Sequence, residues 1–87
     1  MSYHITMLCG GKSMMLAPSE RRSFDLKAAA GLLGESVLRS SDDMLEFMYR
    51  DVKITIYPNG SVMFYHFTDA DAAKCYAKEL SEMIERR

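Results

Sequence analysis

The clearest pattern in the chain lies between Val52 and Phe67, where apolar and polar positions alternate on either side of Pro58-Asn59-Gly60. Alternation with period two marks strands that bury one face. Proline presets φ at the first corner, Asn59 tolerates the second, and Gly60 takes a left-handed slot, which predicts a type I turn closed by a bulge. That turn places Tyr57 opposite Ser61, Ile56 opposite Val62, Ile54 opposite Phe64 and Val52 opposite His66. A preceding run, residues 44–49, pairs back onto residues 52–57 around Arg50-Asp51. Arg-Asp suits a primed turn poorly, so the alternation rather than the turn predicts this hairpin.

Because successive side chains point to opposite faces, the register sorts them. One face carries Val52, Ile54, Ile56, Val62 and Phe64, joined by Leu45, Phe47 and Tyr49; it reads as the core side. The other carries Lys53, Thr55, Tyr57, Ser61, Met63, Tyr65 and Phe67, joined by Met44, Glu46 and Met48. A sheet face left to water is normally polar. This one holds aromatic rings and methionines instead.

The period changes to that of a helix after Phe67. Thr68-Asp69-Ala70-Asp71 forms a Thr-x-x-Asp capping signal, with Thr68 as the cap. Ala73, Tyr76, Ala77, Leu80 and Ile84 then fall on one stripe, with Met83 at its margin and Lys74, Lys78, Glu82 and Glu85 on the wet side. A shorter helix is predicted over residues 25–33, capped by Asp25 or Ser23 and ended by Gly34. Its stripe is Leu26, Ala29, Ala30 and Leu33, with Phe24 packing back as a staple.

Residues 3–9 read as a first strand, Gly10-Gly11 as a tight turn, residues 18–22 as a connection and residues 37–40 as a weak strand. Residues 13–17 read either as a short strand pairing back or as loop. Both helices are one-sided and need the same sheet face. The fold class that follows is α+β in two layers: an antiparallel sheet of about five strands with two helices on one face. The expected order is β-α-β-β-β-β-α, with an extra short strand if residues 13–17 pair.

Composition narrows the function more than the fold. Eighty-seven residues make one domain, 1–87, and a hydrophobic fraction of 48% is ample for a core. A net charge of −1 lacks the positive surplus with which a general nucleic-acid binder neutralises phosphates. No run reaches the ~18–20 apolar residues of a membrane span, and the first residues lack a basic region followed by an apolar one. The expectation is a cytoplasmic protein with no membrane contact. Cys9 and Cys75 are too few for a disulfide scaffold, and with His4 and His66 they do not sit at ligand spacing, so no metal and no cofactor is expected.

Candidate chemistry is sparse. Gly10-Gly11-Lys12-Ser13 matches the end of a phosphate-binding loop, but Thr6 stands where the earlier glycine is required and no helix follows. Cys75 falls opposite the buried stripe, near Asp71 and Glu79, without the cationic surroundings that activate a thiol. No nucleophile, base and orienting group can be assembled, so no catalytic residue is named.

Two motifs, Phe24-Asp25-Leu26-Lys27-Ala28 at the start of the first helix and the hairpin Ile54-Thr55-Ile56-Tyr57-Pro58-Asn59-Gly60-Ser61-Val62-Met63, together with the acid-capped last helix, resemble one repeat of the TATA-box-binding protein core. The resemblance implies helices on the convex side of the sheet and an open concave face. It implies that Lys53, Thr55, Tyr57, Ser61, Met63 and Tyr65 are the contact set, on duplex DNA in that family. Tyr57 stands where the family has a wedge phenylalanine, Met44 lies nearest the second wedge, and rebuilding a two-repeat saddle would take a homodimer.

The open face therefore carries the functional expectation: a non-catalytic interaction module, homodimeric, with that face as the docking surface. Partial cover by Met14-Met15-Leu16 is the structural alternative. Other classes are a DNA-binding, transcription-related protein, disfavoured by charge; a protein with a different protein partner; and a small ligand-binding protein or enzyme with its site at a dimer seam.

Overall fold

Residues 13–18 enter the sheet, which raises the strand count to six. In the structure, a computed structural model that describes residues 3–20 and 23–84, the strands are β1 (Tyr3–Leu8), β2 (Ser13–Pro18), β3 (Val37–Ser40), β4 (Leu45–Tyr49), β5 (Val52–Ile56) and β6 (Val62–Phe64). Helix α1 (Leu26–Leu33) follows β2 and α2 (Ala70–Ile84) follows β6. The sheet is antiparallel throughout, in the order β1-β2-β6-β5-β4-β3. The α+β class with two helices and an antiparallel sheet is as expected. The sheet has six strands rather than about five, because the segment that reads as either strand or loop pairs as β2 between β1 and β6.

Two glycines make that insertion feasible. Gly10 and Gly11 sit at φ of 69° and 88° in the short 3-10 turn 9–11, a conformation without cost for glycine, and Lys12 N–H closes the turn on Leu8 O at 3.1 Å. The chain then reverses so that Met14 and Leu16 face the core, both buried, while Met15 points to the opposite face. The Met14-Met15-Leu16 segment is thus a strand within the sheet, not a cover laid over its open face.

The hairpins keep their predicted register where it matters. Leu45 opposes Ile56, Phe47 opposes Ile54, and Tyr49 opposes Val52, so Arg50-Asp51 is a two-residue turn despite its composition. Both residues adopt left-handed φ, 50° and 65°. Across the next turn Ile54 opposes Phe64 and Ile56 opposes Val62. Tyr57 N–H bonds to Ser61 O, Gly60 has φ 92°, and Asn59 Oδ1 accepts from Ser61 N–H at 2.9 Å.

The expected Val52–His66 pair and the placement of Phe67 on the open face are corrected. Tyr65 N–H still bonds to Lys53 O, but His66 turns to φ 51° and carries the chain to the helix side. Phe67 consequently stacks between Phe64 and Tyr76, at 5.7 Å from each. His66 is exposed, and its backbone N–H finds Ser13 Oγ at 3.2 Å.

The core lies between the sheet and the two helices. Phe47, Phe64, Ile54, Ile56, Leu45 and Val62 from the sheet meet Ala29 of α1 and Ala73, Ala77, Leu80 and Ile84 of α2, all nearly or wholly shut off from solvent. Alanines at the contact let both helices approach the sheet closely. Asp25 caps α1 through Ala28 N–H at 3.1 Å, and Gly34 ends it at φ 54°. The cap of α2 is Asp69, whose carboxylate accepts from Ala72 N–H at 3.1 Å, one residue later than the predicted Thr68. Aspartate caps at least as well as threonine and adds a negative charge at the positive end of the helix dipole.

Candidate functional site: the open face of the sheet

The sheet face away from the helices is assembled from the alternate residues of its strands. Register puts Met15, Met63, Thr55 and Glu46 in one row across β2, β6, β5 and β4, with Arg39 of β3 beyond Glu46. Tyr57 and Ser61 sit at one end of the face and Lys53, Tyr65 and Met48 at the other. All six residues expected at the site, Lys53, Thr55, Tyr57, Ser61, Met63 and Tyr65, do lie on this face.

They are not equally presented. Thr55 is fully buried and Ser61 nearly so, whereas Lys53, Tyr57, Met63 and Tyr65 are half-buried. Thr55 is covered because its neighbours fold across it: its Oγ1 donates to Tyr65 Oη at 3.3 Å, and Tyr57 Oη lies 3.9 Å from Met63 Sδ. Lys53 Nζ stands 4.8 Å from the Tyr65 ring centre and 3.6 Å from Glu46 Oε1. Glu46, 6% exposed, is thus neutralised in place by a lysine that also caps a ring. Burial raises the Tyr57 hydroxyl above its ordinary pKa of 10.0, helped by nearby Tyr65 and Glu46, so it stays a neutral donor at physiological pH.

The outer layer of the face is therefore half-buried rings and thioethers over buried hydroxyls and one internally balanced ion pair. Beside Tyr57, a shallow depression of about 390 Å³ is lined by Met15, Pro58, Asn59 and Ser61 as well. Met15 was not among the expected site residues. The run Ser13-Met14-Met15-Leu16 does not alternate cleanly, so only the pairing with β6 reveals which methionine faces out.

A second polar cluster stands at the far end of the β4–β5 hairpin. Arg50 reaches Glu79 of α2 through Nε (3.2 Å) and Nη2 (3.3 Å), and its guanidinium lies 5.4 Å and 5.5 Å from the rings of Tyr49 and Tyr76. Tyr49 Oη donates to Glu79 Oε1 at 2.6 Å. That hydrogen bond is the main reason the Glu79 carboxyl is held below its ordinary 4.5; desolvation opposes it, and the hydrogen bond and charge of Arg50 add to the lowering. Desolvation leads the rise of the Tyr49 hydroxyl above 10.0, followed by the bond to Glu79. This cluster ties helix to hairpin; it holds no nucleophile.

Among the described residues no three His, Cys, Asp or Glu side chains gather as a metal site, and no helix is long and apolar enough to cross a membrane. Cys75 is exposed, and the Gly10-Gly11-Lys12-Ser13 run leads into a strand rather than a helix N-terminus. The sequence has two adjacent basic pairs, Arg21-Arg22 and Arg86-Arg87, and both lie outside the described residues.

Compared with protein families, curated proteins and solved structures, the chain finds no match. The surface must be read from its own chemistry.

Proposed function

We propose that the protein is a non-catalytic interaction module that self-associates, with the open sheet face as the surface that receives a second copy. The observation that supports this reading is the makeup of that face: Tyr57, Tyr65, Met15 and Met63 are half-buried, and Lys53 is already paired with Glu46. A neutral ring-and-thioether surface gains by meeting another of its kind, since apolar area is removed from water without stranding a charge. An 87-residue domain buries a modest fraction of its surface alone, so pairing adds materially to its stability.

Charge weighs against the family resemblance as a guide to ligand. Across β3, β4 and β5 the face carries Arg39 and Lys53 against Glu46, one positive charge in excess, whereas phosphate recognition draws on several. The test is sedimentation velocity at micromolar concentration with Tyr57→Ala beside the unmodified protein. A dimer that Tyr57→Ala dissociates, with the far-ultraviolet helical signal retained, is the expected result. A monomeric unmodified protein sinks the proposal. Duplex binding at low salt that weakens with a steep salt slope would transfer the face to DNA instead.

A further inference from the structure

The two edges of the sheet are built differently. At one edge, β3 is four residues long, its register with β4 slips between Val37 and Arg39, it carries Arg39, and it runs into Ser41-Asp42-Asp43. Shortness, a bulge and charge are the usual means of preventing an edge from pairing. At the other edge, β1 is six residues, Tyr-His-Ile-Thr-Met-Leu, in unbroken register with β2 and with no proline, acid, lysine or arginine. Among the described residues no further strand pairs with its outer side. Ile5 and Met7 oppose Leu16 and Met14, which puts them on the helix side, yet they remain 37% and 48% exposed. One edge is defended and the other is not.

We infer that β1 is a second self-association site, at which the β1 strands of two copies pair antiparallel about a twofold axis perpendicular to the sheet. This symmetry selects the occupant. Residues directly opposed across an antiparallel pair share a face, so a twofold that keeps both helix layers on one side sets Ile5 and Met7 against the same row of the second copy. The apolar row left open by the helices thereby covers itself, and two six-stranded sheets become continuous. The strand holds no charge that would select a charged peptide. The contact does not depend on the open face, whose own twofold lies parallel to the sheet. Perpendicular axes of this kind are compatible with one closed tetramer.

The test combines sedimentation velocity with amide hydrogen exchange over a protein dilution series. The double variant Ile5→Lys/Met7→Lys places two charges at positions already open to solvent, and circular dichroism checks that it folds. The expected results are protection of β1 amides at high concentration, exchange about tenfold or more faster on dilution or in the double variant, and half the assembly mass in that variant. Tyr57→Ala should leave β1 protection in place, which separates failure of this contact from failure of the open-face one. Mass and β1 exchange unchanged in the folded double variant would overturn the inference. So would β1 exchange in the unmodified protein that is independent of concentration, whether or not the variant folds.

Discussion

Replacing Asp51 with glycine should stabilise the protein, while the same change at its neighbour Arg50 should not. Both residues sit at left-handed φ, 65° and 50°, in the turn between β4 and β5. An L-residue held there costs ~1–2 kcal/mol, toward the low end for aspartate, whose short side chain tolerates the region. Glycine removes that strain but gives back ~0.5–1 kcal/mol through the greater freedom of its unfolded chain. The net gain for Asp51→Gly is about 0.5 kcal/mol, a rise in Tm of roughly 2–4 °C for a domain of this size.

Arg50→Gly relieves a similar strain but removes both bonds to Glu79 and the contacts over the Tyr49 and Tyr76 rings. It also leaves the Tyr49–Glu79 hydrogen bond without its neutralising cation, so its Tm should fall. Thermal unfolding of both variants, followed by circular dichroism, gives the comparison. A fall for Asp51→Gly would refute the turn geometry. Equal rises for both would refute the role of Arg50 in tying hairpin to helix.

Two further outcomes follow from the same geometry. Asp69→Ala should cost ~0.5–2 kcal/mol in chemical denaturation by removing the α2 cap, whereas Thr68→Ala should cost clearly less; the reverse ranking would restore threonine as the cap. Glu79, with its folded-state pKa below 4.5, contributes stability that is fully present above pH 4.5 and is lost as pH falls through the lowered value. Denaturant midpoints measured between pH 6 and 2 should therefore fall less steeply over the acid range in Glu79→Gln than in the unmodified protein, and superimposable pH profiles would rule out the linkage.

Much of this fold is legible in the order of residues. Alternation from Val52 to Phe64 assigns each side chain to a face, and Pro58-Asn59-Gly60 sets the register of the hairpin that contains it. Helical spacing picks out Ala73, Tyr76, Ala77, Leu80 and Ile84, and α2 buries or half-buries every one. These are local signals, carried by backbone geometry that repeats over two or four residues. They also place the six expected site residues together, because face assignment needs only parity.

Tertiary structure decided the rest. Residues 13–18 pair with β1 across a local turn, but their place beside β6 depends on a partner some fifty positions away, and nothing in Ser-Met-Met-Leu specifies it. The left-handed turn at His66 moves Phe67 from the open face into the stack with Phe64 and Tyr76, a placement that depends on the packing of α2 against the sheet. Parity likewise says which way Thr55 and Glu46 point but not that tyrosines and a lysine lie over them, since cover is a property of neighbouring strands. The sequence alone placed the six expected residues on the open face, while pairing with β6 added Met15 and the turn at His66 removed Phe67. Strand order decided which of them meet solvent and which edge, β1 or β3, is left unpaired and undefended, because those depend on contacts between segments far apart in the chain.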